Sequence, residues 1–290
     1  MREGRARARD EPQLRDLLVV LGERLGSEPA LLAPDPGAPY RVGETPTHHV
    51  YVPLDAAGRA HIRREARRLA WAADQGIPVA PIEDADPEGR WLALRRVPRD
   101  PPRGPVFVEA ATRAARAVAR AEPPPGSVLE GSQTRRAPRW GLPLRALRLV
   151  LAGISLPEFG RARRRAARRR ADTLAHGDFQ ANNLLFDAER GRVHLTDFEY
   201  LGWAPGGTDL LHLWCTLERP EDRRAILGAV LEDAGPEDRR RLADLHHWIA
   251  IRTLAEQVSG PAGQRDPVRL EEARRQAAEA RRNAAAWRRA

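Results

Sequence analysis

The sequence predicts an α+β fold in two lobes, a small strand-containing N-lobe and a mainly helical C-lobe. Three observations carry this. Segments of strand composition, HHVYVPLD (48–55), GIPVAPIED (76–84) and RWLALRRVP (90–98), crowd the region before residue 99. A Pro- and Gly-rich stretch, RDPPRGP (99–105), follows and reads as a linker. Beyond it, apolar residues recur mostly at helical spacing. The expected organisation is therefore an N-lobe at 1–98, a hinge at 99–105 and a helical C-lobe at 106–290.

Taken in order, residues 11–26 form an amphipathic helix with Leu14, Leu17, Leu18, Leu21 and Leu25 on one face. The Pro/Gly run APDPGAPY (33–40) breaks the chain before the first strand, and DAAG (55–58) turns out of that strand. Ile62, Ala66, Leu69 and Ala70 predict a helix over 60–76, closed by Gly76. The turn ADPEG joins the next two strands. Past the linker come a helix over 108–122, a Pro/Gly/Ser-rich loop over 123–143, the segment LRALRLVLAG and a basic helix, EFGRARRRAARRRADTL. Two short strands, NLLFD (183–187) and RVHLTDF (192–198), flank the turn DAERG. Helices fill the rest: EDRRAILGAVLEDAG, EDRRRLADLHHWIAIRTLAEQ and a charged surface helix, LEEARRQAAEARRNAAAWRRA.

Composition narrows the function classes. With 42% apolar residues the chain has a core and is not a disordered polymer. The net charge is +9, and all 49 basic residues are Arg. Heavy use of Ala, Arg, Pro and Gly points to codon bias rather than a surface selected for phosphate, so no nucleic-acid partner is expected. A nucleic-acid reading would require a contiguous basic face and steep salt dependence. The single cysteine, Cys215, excludes an internal disulfide framework and reads as a core hydrophobe. The basic N-terminus and the charged segment after it do not read as a signal peptide, and no apolar run is long enough to span a bilayer. A cytoplasmic protein is expected.

The chemistry concentrates in HGDFQANNLLFD (176–187) and in DFEY (197–200). Phosphoryl transfer from a nucleotide requires a carboxylate to orient and deprotonate the acceptor hydroxyl, and oxygen ligands for a bridging Mg²⁺. Asp178 is followed five residues later by Asn183, and Asp197 opens DFE after the hairpin NLLFDAERGRVHLT. An Asp, an Asn at that spacing and a second Asp on the following hairpin form a Mg²⁺–nucleotide pattern. A lone HGD or a lone Asp–Asn pair is common and usually makes turn hydrogen bonds. The conjunction with a GGTDL tail is not common.

HGDFQANN followed by TDFEYLGWAPGGTDLLHL closely resembles the aminoglycoside phosphotransferase and choline kinase superfamily, whose members share the protein kinase fold. The resemblance is dense over 174–214, weaker over 60–98 and fades elsewhere. It implies ATP and Mg²⁺ as cofactors and a small-molecule hydroxyl as acceptor. It implies Asp178 as catalytic base, with Asn183 and Asp197 holding the metal and Glu199 near a second metal or its waters. His176 and Asp209 would be architectural, and Gln180 and Asn182 loop hydrogen-bonders. Glu65 would match the helix Glu that pairs with a strand Lys.

One part of the pattern is missing. The strand before the Glu65 helix carries Tyr51, Val52 and Pro53 where a Lys belongs, and RVGETPTHH offers only Gly43 in place of a glycine-rich loop. Either Arg41, Arg59 or Arg63 supplies the cation, or the chain is a pseudokinase acting as a binding or scaffold protein. For the acceptor, Trp203, Trp214, His246, His247 and Trp248 offer a cage for a quaternary ammonium or else core packing. Glu218, Glu221 and Asp222 offer carboxylates for amines or else helix caps. RARRRAARRR (161–170) offers an anion site or else a solvated face. The sequence does not name the substrate.

Overall fold

The computed structural model describes residues 11–32, 38–124, 150, 152–232, 234–259 and 266–289. The basic N-terminal segment, most of the run after Leu32 and most of the 123–143 loop, together with the greater part of LRALRLVLAG, lie outside these. The chain divides into two units: Met1–Arg99 with His194–Glu199, and Asp100–Val193 with Tyr200–Ala290. The division falls inside a strand, so the short run carrying Asp197 belongs with the first unit. Two bonds explain this: Leu195 N–H donates to Pro78 O at 2.8 Å, and a bridge joins Val79 and Leu195.

The first unit is built on a five-stranded antiparallel sheet in the order β1-β2-β3-β5-β4. The strands are β1 (Ala30–Leu31), β2 (Tyr40–Glu44), β3 (His48–Pro53), β4 (Ile82–Ala85) and β5 (Leu92–Arg95). The strand expected over 76–84 shrinks to Ile82–Ala85, since Pro78 and Pro81 lack the ladder donor. β3 alternates strictly: Val50 and Val52 are buried, whereas His49, Tyr51 and Pro53 are half-buried on the other face. Helix α1 (Glu11–Leu25) covers the first face, packing Leu14, Leu17, Leu21 and Leu25 on Val50, Val52, Trp91 and Ala93.

Helix α2 (Ala56–Asp74) starts four residues before the expected boundary. Asp55 caps it, its Oδ1 accepting Gly58 N–H at 2.7 Å. Gly58 is required there, because a Cβ would meet Pro39 O at 2.1 Å. The buried positions are 58, 62, 69, 71 and 72. Glu65 falls into the gap of that stripe, on the buried side.

The second unit is helical, with α3 (Pro105–Arg120), α4 (Leu156–Ala167), α5 (Thr208–Trp214), α6 (Pro220–Leu231), α7 (Pro236–Ser259) and α8 (Pro267–Trp287). β6 (Thr173–Ala175) pairs antiparallel with β9 (Gly202–Ala204), and β7 (Leu184–Asp187) forms a hairpin with β8 (Arg192–Leu195). Asp187 sets the hairpin turn, taking Arg190 N–H at 3.0 Å and its guanidinium at 2.8 Å. The expected basic helix stops at Ala167, and its C-terminal part becomes β6. Ala162 packs in one core cluster with Ile251 and Leu254 and Ala166 is also buried, while Arg161, Arg163, Arg164 and Arg165 are exposed. No described helix is long and apolar enough to cross a membrane.

The core of this unit holds an unusual imidazole. His246 is fully buried, stacked on Trp287 at 5.1 Å and edge-on to Trp214 at 4.4 Å. Burial, and to a lesser degree His247, pushes it down to about 3. It stays neutral in the fold and charges near 6.5 once unfolded. Its contribution is complete above that pH and is lost as pH falls toward 3, by about 1.4 kcal/mol per pH unit. His246→Phe keeps a ring between the tryptophans. Between pH 7 and pH 5 the wild type should lose about 2 kcal/mol more than the variant, measured by urea unfolding at each pH.

Candidate functional site

The second unit carries the loop His176–Asn183. Strand β6 delivers it and the hairpin β7–β8 takes it away. Asp178 is half-buried and tethered on both oxygens: Gln180 Nε2 donates to Oδ1, and Asn183 Nδ2 donates to Oδ2 at 2.9 Å. The same Asn183 nitrogen also reaches Asp178 O at 2.9 Å, so the five-residue spacing closes a ring through the 3₁₀ turn Ala181–Asn183. Asn182 is exposed. His176 is buried, and its Nδ1 accepts Asp178 N–H at 3.4 Å.

Helix α5 braces this loop at both ends. At its start, Asp209 accepts His176 N–H at 2.8 Å and Gly177 N–H at 3.1 Å, one on each carboxylate oxygen. Burial pushes Asp209 up to about 6 against the pull of those two amides. Just past its end, Thr216 Oγ1 accepts Ala181 N–H at 3.1 Å and donates to Leu213 O at 2.9 Å. Gly207, at φ 84°, permits the tight entry, since a Cβ would meet Leu242 Cδ2 at 2.8 Å. Sequence reasoning missed Thr216. Nothing in WCTLE marks it, because the tie is a tertiary bond to a residue 35 positions away.

The first unit carries the DFE turn. Asp197 is the one described non-glycine residue with a left-handed backbone, at φ 62°. The next residue, Phe198, is fully buried against Trp71. Phe198 N–H donates to Glu65 Oε1 at 3.1 Å, and Arg68 Nη1 donates to Phe198 O at 2.6 Å. Desolvation pushes the Glu65 carboxyl up to about 7, opposed by the Phe198 amide and raised further by Asp197. Glu199 lies 3.9 Å from His61 Nδ1. His61, Glu65 and Arg68 share one side of α2 at spacings of four and three.

None of the arginines expected to replace the strand lysine stands beside Glu65. Arg63 is two residues away, on the far side of the helix, exposed and packed by the Gly89 turn. Arg59 is likewise exposed. Arg41 pairs with Val52, so it points to the α1 side of the sheet and donates to Leu32 O at 3.4 Å. Gly43 is not in a loop; it sits inside β2 opposite Val50. On the face where a cation was expected, Tyr51 lies edge-on to Tyr40, which stacks on His61 at 5.0 Å. Burial, Tyr40 and the carboxylates of Glu65 and Asp197 push the Tyr51 phenol up. Arg99 pulls it the other way. Arg99 was not among the candidates considered.

The acceptor candidates also sort themselves. Trp214 is fully buried, and Trp248 packs on Phe159 within the apolar core, so these two do not form a cage. Asp222 is buried and accepts Gly104 N–H at the start of α3. Glu221 pairs with Arg219. His247 bonds Glu158 at 3.1 Å. Burial pushes the Cys215 thiol up to about 12, as suits a core residue.

For a metal, the donor chemistry fits. In the second unit Asn183 carries an amide oxygen, and in the first unit Asp197 and Glu199 carry carboxylates. These are hard oxygen donors suited to Mg²⁺. Among the described residues no cluster of three or more His, Cys, Asp and Glu side chains forms a ready-made cage. Mg²⁺ needs none when phosphate oxygens and waters complete its shell.

A profile of the family described as "Phosphotransferase enzyme family" matches residues 39–245. No curated protein matches the chain. Among solved structures, a choline/ethanolamine kinase family protein from Mesorhizobium loti is 19% identical, with a TM-score of 0.59 over 90% of this chain and 92% of its own. The amicoumacin kinase hAmiN, in complex with AMP-PNP, Ca²⁺ and Ami, is 11% identical, with a TM-score of 0.57 and 88% of each chain covered. A streptomycin–ATP–APH(2")-IIa ternary complex is 14% identical, with a TM-score of 0.54 over 87% of this chain and 92% of its own. At these identities the likeness is one of fold.

Two substitutions test the α5 brace. Asp209→Ala strands two buried amides and should cost about 2–5 kcal/mol of unfolding free energy. Thr216→Val strands one and should cost about 1–3 kcal/mol. In Thr216→Val, hydrogen exchange should speed up at Ala181 while His176 and Gly177 stay protected.

Proposed function

The chain belongs to the phosphotransferase enzyme family, and from that premise we propose that it transfers the ATP γ-phosphoryl group to a hydroxyl of a small molecule. The observation that carries this reading is the tethered Asp178. Gln180 and Asn183 hold its carboxylate, and Asp209 and Thr216 hold its loop. A general base must be fixed within hydrogen-bond reach of the proton that it takes. Asp178 accepts the acceptor's hydroxyl proton as the oxygen bonds to the γ-phosphorus and the bond to ADP breaks. Asn183, Asp197 and Glu199 would hold Mg²⁺. That ion, when bound, neutralises charge on the phosphate oxygens.

The acceptor class draws support from the proteins of similar fold whose structures hold streptomycin or Ami. Within this chain, Glu218 remains an exposed carboxylate for an amine-bearing acceptor, whereas Asp222 is committed to Gly104. A cytoplasmic location, no nucleic-acid partner and a division of the chain at the 99–105 hinge remain part of the same reading.

A binding-only pseudokinase has one observation in its favour. The β3 face opposite α1 presents His49, Tyr51 and Pro53 and no lysine. Calorimetry separates the two readings. Binding of ATP that depends on Mg²⁺ and disappears in Asp197→Ala marks a working site; no binding to wild type at millimolar ATP favours the pseudokinase. In a coupled ADP-release assay over aminoglycosides, macrolides and amino alcohols, Asp178→Ala should lower transfer by at least ~100-fold with an unchanged melting temperature. Transfer that survived this substitution would remove Asp178 from the role of base.

A further inference from the structure

The resemblance led to an expected pairing of Glu65 with a cation on β3. The carboxylate is bonded instead to a backbone amide, and the cation that completes the arrangement lies on α2 itself, three residues on. Glu65 takes the N–H of Phe198 at 3.1 Å, and Arg68 gives a hydrogen bond to the C=O of the same residue at 2.6 Å. Phe198 is thus gripped at both main-chain polar atoms, and its ring is fixed in the core against Trp71. The other arginines of this stretch, Arg63, Arg64 and Arg67, are exposed, whereas Arg68 is half-buried.

The residue that this grip acts on is Asp197. Its left-handed φ of 62° is a conformation that non-glycine residues seldom adopt. Such a conformation persists where surrounding contacts over-determine it. The two bonds to Phe198 supply that over-determination from one rigid helical turn.

We propose that Arg68 is a positioning residue for Asp197, acting with Glu65 through a clamp on the Phe198 main chain. This rests on the reading of Asp197 as a Mg²⁺ ligand. Its content is specific. A strand lysine binds phosphate, so losing it weakens nucleotide binding with or without metal. Arg68 holds a peptide, so losing it weakens metal retention and leaves metal-free nucleotide binding alone.

The test uses the full chain with Arg68→Met, which keeps much of the stem without a donor, Arg68→Lys, which keeps one, and Arg67→Ala as an exposed control. Three quantities are read: hydrogen exchange at the Phe198 amide in the metal-free protein, Mn²⁺ affinity by EPR with AMP-PNP present, and AMP-PNP affinity without metal. In Arg68→Met, Phe198 exchange should rise and Mn²⁺ affinity should fall, each about tenfold, the scale of one lost charge-assisted hydrogen bond. Metal-free AMP-PNP affinity should hold, Arg68→Lys should recover part of the loss, and Arg67→Ala should match wild type.

Unchanged Phe198 exchange would overturn the clamp. An equal loss of metal-free AMP-PNP affinity would make Arg68 a phosphate ligand and overturn the positioning role. Wild type that bound no Mn²⁺ would overturn the role toward metal together with the proposed function. Phe198 exchange would then show by itself whether Arg68 holds the turn.

Discussion

A buried carboxylate that accepts two consecutive backbone amides is the constraint on which the loop His176–Asn183 depends. Asp209 is shut away from water, and among the described residues the N–H groups of His176 and Gly177 donate to its carboxylate. Neither partner is dispensable. Without the amides the charge would be uncompensated; without the carboxylate, two amides at the head of the loop would be orphaned. The arrangement fixes where the chain enters the loop, Thr216 fixes where it turns into the hairpin, and Asp178 lies between. A seven-residue helix is a poor structural element by itself. Here it is useful because every residue of it is buried and both of its ends are bonded to the same loop.

The first unit solves a different problem. Its sheet spends one face on α1, leaving the other to a row of rings and one turn of α2. On that turn a carboxylate occupies a position that helical periodicity reserves for an apolar side chain. A desolvated Glu is tolerated where a donor meets it, and Phe198 N–H is that donor. Both units therefore use an acid group against main-chain amides: Asp209 on His176 and Gly177, Glu65 on Phe198. The side chains proposed to do chemistry, Asp178 and Asp197, stand next to these anchored peptides.

Much of this was legible in the sequence. The two-lobed α+β class, the α1 stripe of leucines, the hairpin turn at Asp187 and the grouping of Asp178 with Asn183 all follow from spacing and turn chemistry. Other features were not legible, for identifiable reasons. Strand β2 hid behind Gly43, which looked like part of a phosphate loop and instead faces Val50 across a ladder. Helix α5 shows no amphipathic period because both its faces are buried. The start of α2 was misplaced although the signal was present, since Asp55 precedes the helix as a cap. The partners of Glu65 lie 133 and three residues away. Only the nearer, Arg68, is visible in the sequence, as a neighbour on the same helical face.

The division inside β8 has a consequence for how the protein is made. The first unit comprises Met1–Arg99 and the returning run His194–Glu199, so it is discontinuous in the chain. A nascent chain released up to residue 99 lacks the segment that bonds Pro78, Glu65 and Arg68. At about 5–20 residues per second, synthesis of residues 100–193 delays that segment by several seconds or more. During that interval the Glu65 carboxyl has no Phe198 amide to meet. The N-terminal portion cannot be matured, excised or exchanged as a module, and the late-arriving hexapeptide acts as the keystone of a lobe whose other parts were translated long before.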